Sequence, residues 1–166
     1  SHFKGDNLPV EDVSWYEAKE WLAEMNKRHP LPEGWKWELP TESQWEYACR
    51  SGTEGPYAGS GKLDEMGWHG YNTDLDRPGP EKVATKQANG WNLHDMHGNV
   101  FEWCRDWYGE YPSGTVTDPT GPVAGSYRVM RGGSWDSEPK DCRSAVRIST
   151  APDNRRNIAG FRAAKI

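Results

Sequence analysis

The sequence predicts a single α+β domain with little regular secondary structure, and three features lead to that class. The chain has 166 residues, enough to bury one hydrophobic core without cross-links. Ten Trp and seven Tyr stand beside only three Phe, together with 18 Gly and 12 Pro. Such amphipathic rings, separated by frequent turns, favour an irregular fold over long leucine-rich helices. Clear helix signals are confined to roughly the first fifty residues.

Two amphipathic helices are predicted near the N-terminus, and each begins with a capping box. In this motif the first and fourth side chains satisfy free N–H groups at the helix start. Residues 14–17 and 41–44 have this form, and the two helices are expected to end near residues 28 and 50–52. The apolar residues that follow recur at helical spacing, namely Trp15, Ala18, Trp21, Leu22 and Met25, then Trp45, Ala48 and Cys49.

Three segments are predicted as strands. Residues 35–39 alternate as a short strand, and residues 127–130 form a β-run that breaks at the glycine pair 132–133. Residues 158–164 are expected to close the fold antiparallel to residues 127–130. Two long Gly- and Pro-rich loops separate these elements, at residues 52–89 and 109–126. Residues 136–150 are expected to be irregular surface chain.

Charge and hydropathy argue against several classes of partner. The net charge is −5, with acidic and basic residues interspersed and no extended basic stripe, so neither a nucleic acid nor an anionic membrane surface is expected to bind. No apolar run approaches the roughly 18 residues needed to span a bilayer, and nothing at the N-terminus resembles a signal peptide. The cellular compartment and the oligomeric state stay open.

The three cysteines, Cys49, Cys104 and Cys142, show no Cys-x-x-Cys spacing. Free cysteine is among the most buried residue types, so three buried thiols are expected. One disulfide with one thiol left over is the alternative, because an odd number leaves both arrangements possible.

The segment 91–108 contains a candidate calcium site. Asp95 and Glu102 offer carboxylate oxygens, and the turn from Gly98 to Val100 between them can direct carbonyl oxygens inward. Calcium takes about six to eight oxygen ligands and accepts irregular geometry. A transition-metal site at His94 and His97 is not expected, because no third soft ligand stands at a helpful spacing.

A second group of oxygen ligands lies in the preceding loop, where Asn72, Asp74 and Asp76 alternate. This pattern can hold a calcium ion. It is also typical of an ordinary turn rich in Asn and Asp, which is the commoner meaning.

Five segments in order resemble the formylglycine-generating enzyme (sulfatase-modifying factor) domain family, and they extend over nearly the whole chain. They are Val-Ser-Trp at 13–15, Leu-Pro-Thr-Glu-Ser-Gln-Trp-Glu-Tyr-Ala at 39–48, Leu-His-Asp-Met-His-Gly-Asn-Val-Phe-Glu-Trp at 93–103, Arg-Gly-Gly-Ser-Trp at 131–135 and Gly-Phe-Arg at 160–162. The resemblance implies one domain over residues 1–166 with a C-type-lectin-like fold and bound calcium. Family members usually carry a further N-terminal β segment before Val-Ser-Trp, which this domain is expected to lack.

The resemblance also implies particular calcium ligands. In the family, the ligands of one site fall on the side chains of Asp95 and Glu102 and on the carbonyls of Gly98 and Val100. A second family site lies in the preceding loop, where Asn72 with Asp74 or Asp76 corresponds to its ligands.

The catalytic positions of the family are only half retained. Formylglycine generators bind copper through two cysteines, three and eight residues after the serine of Arg-Gly-Gly-Ser, and oxidise a substrate cysteine to an aldehyde. Counted from Ser134, these positions are Ser137 and Cys142. A serine hydroxyl is a poor ligand for Cu(I), which prefers thiolates. Copper and the copper-dependent reaction are therefore not expected.

The leading hypothesis is a calcium-stabilised binding module without catalytic activity, whose ligand is a protein, a peptide or a glycan. Variable proteins of diversity-generating retroelements use the same fold, and their diversified positions lie between Arg-Gly-Gly-Ser-Trp and Gly-Phe-Arg. The residues expected to contact a ligand are Trp135, Asp136, Ser137, Glu138, Lys140, Ile148, Ser149 and Thr150.

Two alternatives remain. One is an oxidoreductase of the formylglycine-generating type, or a related one that uses Cys142 as a lone reactive thiol. The other is an accessory domain of a kinase or a surface protein, because one fold can carry unrelated activities.

Overall fold

The computed structural model describes residues 1–74 and 76–166, and it has the α+β architecture with short elements that the sequence predicts. The α-helices are α1 (Trp15–Arg28), α2 (Glu42–Arg50) and α3 (Leu63–Met66), and a 3-10 helix covers Pro139–Cys142. The strands are β1 (Trp37–Glu38), β2 (Phe101–Trp107), β3 (Arg128–Arg131), β4 (Arg147–Thr150), β5 (Ala159–Gly160) and β6 (Ala164–Lys165). Within the described residues, no helix is long and apolar enough to cross a membrane.

Both predicted capping boxes are present. The Ser14 hydroxyl accepts the Glu17 N–H at 3.2 Å, and Glu17 Oε2 accepts the Ser14 N–H at 2.9 Å. Thr41 and Gln44 make the same reciprocal pair at 3.1 and 2.9 Å. Because these bonds join residues three positions apart, the sequence is sufficient to locate both helix starts.

The central sheet has four strands in the order β4-β3-β2-β5. Strand β3 pairs antiparallel with β2 on one side and with β4 on the other. Strand β5 pairs parallel with β2, and β6 pairs antiparallel with β1 in a separate two-stranded ribbon.

The prediction that residues 158–164 pair with residues 127–130 is wrong. Both edges of β3 are already occupied, and the closing segment divides into β5 and β6. Residues 147–150 were expected to be irregular, but they form β4 and supply one of those two partners. The hydrophobic pattern of a short strand identifies its buried face but not its partner, which explains the error.

Two hydrophobic clusters lie on either side of β2 and β3. One packs α1 against the sheet and contains Ala18, Leu22, Leu39, Phe101, Trp103, Met130 and Ala159. The other packs α2 against the sheet and contains Trp45, Cys49, Met96, Cys104 and Val129. The buried indole N–H of Trp103 donates to Val13 O at 3.0 Å, so its polar end is satisfied within the core. All three cysteines are free and buried, so the expectation of buried thiols is the correct one.

A buried arginine anchors the segment that follows the glycine pair. Arg131 has no exposed surface and donates to Val146 O at 2.6 Å, to Ser144 O at 2.9 Å and to the Glu46 carboxylate. Its guanidinium therefore holds the chain at 144–146 against α2, which fixes both ends of the loop between β3 and β4.

Candidate functional site

The glycine pair brings the backbone into contact with buried side chains. Gly132 and Gly133 have φ of +98° and +81°, a region that L residues seldom adopt. A Cβ atom on Gly133 would lie 2.5 Å from Cys142 Sγ, and one on Gly132 would lie 3.0 Å from the Trp45 ring. The glycines therefore let this turn pass closely over the Cys142 thiol and deliver Ser134 beside it.

The hydroxyls of Ser134 and Ser137 form a closed pair within the turn. Their Oγ atoms are 3.0 Å apart, and Ser137 Oγ also accepts the Ser134 N–H at 3.0 Å. The Asp136 N–H donates to Ser134 Oγ at 3.4 Å. At the position where a copper-binding family member has a thiolate, this chain has a hydroxyl that stabilises its own loop.

The Cys142 thiol is buried at the end of the 3-10 helix. Burial, with a smaller contribution from the Asp141 carboxylate, raises the pKa of Cys142 to about 12. At neutral pH the group is a thiol, whereas nucleophilic attack and copper binding both require a thiolate.

His97 is occupied at both ring nitrogens. Its Nδ1 lies 2.8 Å from Cys142 O, and its Nε2 accepts the Ala58 N–H at 2.9 Å, so it is the neutral Nδ1–H tautomer. Burial lowers the pKa of His97 and favours that neutral form. His94 Nδ1 bonds Lys86 O at 2.8 Å. Both histidines tie loops together through backbone contacts.

The residues predicted to bind a ligand fall into two groups. Asp136, Glu138 and Lys140 are exposed, and Trp135 and Ser137 beside them are half-buried. We call residues 135–140 the ligand loop. It is the exposed part of the predicted surface.

The second group lies on β4 and is less exposed than the first. Ser149 is half-buried, and Ile148 packs against the core cluster beneath α1. Thr150 is buried, and its Oγ1 accepts from Asn154 Nδ2 at 2.7 Å. Pairing of β4 with β3 places these residues in the sheet, and Thr150, which is 9% exposed, offers little surface for contact with a ligand.

One exposed aromatic residue beside the ligand loop was missed. Gly70 N–H donates to Ser137 O at 2.9 Å, and Thr73 Oγ1 lies 3.5 Å from Trp135 O. These bonds set Tyr71, which is 73% exposed, on a loop that borders the ligand loop. No periodicity or motif marks Tyr71 in the sequence, because its placement depends on this packing of two loops.

The predicted calcium ligands line one cavity of about 370 Å³. Asp95, Gly98, Val100 and Glu102 all border it, and Gly98 has φ of +111°. Asp95 Oδ2 accepts the Ala84 N–H at 2.8 Å, whereas Asp95 Oδ1 is buried without a hydrogen-bond partner in the described part of the chain. Burial is the main cause that raises the pKa of Asp95. An orphaned carboxylate oxygen among oxygen donors fits a hard cation.

The Glu102 carboxylate is held by two partners. Trp45 Nε1 donates to Oε2 at 2.6 Å. Arg162 donates from Nε to Oε2 at 3.0 Å and from Nη2 to Oε1 at 2.8 Å. Among residues 1–74 and 76–166, no three His, Cys, Asp or Glu side chains form a metal cluster. A cation here would therefore depend on backbone carbonyls as well as on Asp95 and Glu102.

The side chains of Asn72 and Asp74 make local hydrogen bonds typical of a turn. Asn72 Oδ1 accepts the His69 N–H at 2.8 Å, and Asn72 Nδ2 donates to Gly67 O at 3.0 Å. Asp74 Oδ1 accepts the Asp76 N–H at 3.0 Å. These local bonds are those of an Asn- and Asp-rich turn, and they engage the oxygen that Asn72 would offer to a metal. Calcium binding by Asn72 and Asp76 stays a prediction.

Comparison with known proteins finds one matching family and several similar proteins. The sulfatase-modifying factor enzyme 1-like domain matches residues 2–166. A formylglycine-generating enzyme of Streptomyces coelicolor is 37% identical over 95% of this chain and 52% of its own. A serine/threonine-protein kinase pkn1 of Chlamydia caviae is 36% identical over 95% of this chain and 24% of its own.

Among solved structures, the Treponema denticola variable protein 1 aligns with a TM-score of 0.89 and 28% identity, over 98% of this chain and 76% of that protein. The chain thus spans about a quarter of the kinase and about half of the enzyme that it resembles.

Proposed function

Because the chain belongs to the sulfatase-modifying factor enzyme 1-like domain family, we propose that it is a calcium-stabilised module that binds a ligand and does not generate formylglycine. The observation that carries the proposal is the pair Ser137 and Cys142. Ser137 has a hydroxyl where the family places its first copper-binding cysteine, and that hydroxyl is bonded to Ser134 within the loop.

The remaining cysteine does not compensate for the missing one. Cu(I) is held by soft thiolate ligands, and a site for this reaction uses two of them. Cys142 is a buried thiol whose pKa is raised to about 12, so its ionisation at neutral pH is strongly disfavoured. One protonated thiol beside a hydroxyl is an unfavourable copper site.

The ligand loop supports a binding role. It presents Asp136, Glu138 and Lys140 to solvent, with Tyr71 beside it on a packed neighbouring loop. An exposed tyrosine next to mixed charges is the kind of surface that forms interaction hot spots. The likeness to a variable protein, with a TM-score of 0.89, supports the same use for this chain. A protein, a peptide or a glycan is the class of ligand we propose.

Calcium is the proposed structural cofactor, held by Asp95 and Glu102 with the carbonyls of Gly98 and Val100. The support is the buried Asp95 Oδ1, which has no partner in the described part of the chain, at the edge of a cavity that all four residues line. Bound calcium would neutralise these carboxylates and fix the turn that precedes β2.

The copper reaction provides the decisive experiment. The purified protein is incubated with Cu(I), oxygen and a peptide that contains Cys-x-Pro-x-Arg, and the peptide mass is followed. We expect no aldehyde product and no stoichiometric copper. The formylglycine-generating enzyme of Streptomyces coelicolor, assayed in parallel, verifies the conditions. Conversion of the peptide by this chain would refute the proposal in favour of the oxidoreductase alternative.

A further inference from the structure

Arg162 occupies the same cavity as the two carboxylates proposed to bind calcium. It follows β5, and its side chain is 30% exposed, whereas that of Glu102 is 7% exposed. Arg162 binds Glu102, and its Nη2 also donates to His94 O at 2.8 Å. His94 is the residue immediately before Asp95 in the chain. A fixed guanidinium therefore lies in the same pocket as the proposed oxygen ligands of calcium.

We propose that Arg162 is an internal counter-cation that holds Glu102 in place without calcium and weakens calcium binding. This inference rests on the proposed calcium site. A carboxylate has about four lone-pair positions. Trp45 and the two nitrogens of Arg162 make four contacts with the two Glu102 oxygens, the longest from Arg162 Nε to Oε1 at 3.2 Å, so Glu102 retains little free capacity for a metal.

The charges in the pocket decide the direction of the effect. Asp95 and Glu102 contribute two negative charges, and Arg162 cancels one of them. A positive charge a few ångströms away repels a divalent cation, even with the screening typical of a site near the surface. Removing the charge of Arg162 should therefore tighten calcium binding by about ten-fold or more.

The same change has the opposite effect on the metal-free protein. Without Arg162, the nearly buried Glu102 keeps only the Trp45 donor, and an uncompensated buried carboxylate destabilises the fold. If Arg162 had a purely structural role, its replacement would lower the melting temperature with and without calcium and would leave calcium binding no tighter. Calcium affinity therefore separates the two roles.

The test compares the wild-type chain with Arg162→Met, Arg162→Gln and Arg162→Lys. Calcium chloride is titrated by isothermal calorimetry, and thermal unfolding is recorded in calcium and in chelator. Both neutral variants should bind calcium about ten-fold more tightly than wild type and show a larger calcium-induced rise in melting temperature. Arg162→Lys keeps the charge and should bind nearly as wild type does.

Arg162→Gln retains a donor for Glu102, so it serves if Arg162→Met does not fold. Recovery of folded Arg162→Met only in calcium would support the inference. Equal or weaker calcium binding by the neutral variants would overturn it and leave the calcium site standing. Calcium binding by the neutral variants but not by wild type would mean that the native chain has no working calcium site. It would still support the inference that Arg162 opposes calcium binding. No binding by any of these proteins would overturn both.

Discussion

Replacing Asp95 by Asn tests the calcium proposal with almost no change of shape. The Asn side chain can keep the bond to the Ala84 N–H while it removes the charge from the buried oxygen that lacks a partner in the described residues. An unsatisfied buried polar atom costs about 1–3 kcal/mol, more when it is charged. In chelator, Asp95→Asn should therefore be at least as stable as wild type. In calcium the order should reverse, because the variant has lost a charged ligand.

The size of the effect follows from mass action. A ligand that binds only the native state stabilises it by about 2.7 kcal/mol at a hundred times its dissociation constant. For a chain of 166 residues, each kcal/mol shifts the melting temperature by roughly 2–4 °C. Wild type should thus melt roughly 5–10 °C higher in saturating calcium than in chelator, and Asp95→Asn should lose most of that difference.

The assay is thermal unfolding followed by circular dichroism in calcium and in chelator. Asp136→Asn, which removes a carboxylate from the exposed ligand loop, is the matched control and should respond as wild type does. An equal calcium-induced shift in wild type and Asp95→Asn, or no shift in wild type, would refute the assignment of the site.

The assay also has a pH dependence with a definite sign. Because burial raises the folded-state pKa of Asp95, its contribution to stability in chelator is present at low pH and is lost as pH rises through that pKa. Asp95→Asn should remove this loss. In calcium, the stabilisation of wild type should instead grow with pH, since the metal requires the carboxylate.

Three further outcomes test the rest of the site. Because burial lowers the folded-state pKa of His97, its contribution to stability is present above about pH 6.5 and is lost as pH falls through the lowered pKa. In urea unfolding at pH 7.5 and 5, His97→Asn should therefore lose less stability than wild type, and an equal loss would contradict this assignment. All three thiols should resist iodoacetamide in the folded protein at neutral pH and react after denaturation, whereas rapid alkylation of Cys142 would favour the oxidoreductase alternative. Gly133→Ala should lower the free energy of unfolding by about 1–3 kcal/mol more than Gly34→Ala, because both positions have positive φ but only the first meets a buried sulfur; equal losses would contradict the close approach.

Much of the chain could be predicted where the interactions are local. The capping boxes at 14–17 and 41–44 join residues three apart, so the sequence locates both helix starts. The four proposed calcium ligands lie between Asp95 and Glu102, and one turn suffices to bring them to a single cavity. The order of the motifs was sufficient to identify the family, which the comparison confirms.

Pairings between distant segments could not be predicted. The closing segment was assigned to the wrong strand because a two-residue strand such as β5 carries no information about its partner. Thr150 was expected at the surface, yet pairing of β4 with β3 buries it. Tyr71 was missed because only the contact between two irregular loops places it beside the ligand loop.

The sequence by itself determined the helix starts, the family and the serine at the first catalytic position, since each depends on residue identity at short spacing. The tertiary structure decided how those residues are used. It buries the Cys142 thiol and sets Arg162 against Glu102, across 60 residues of chain. Such contacts depend on how the strands pair and the loops pack. No local pattern of residues specifies them.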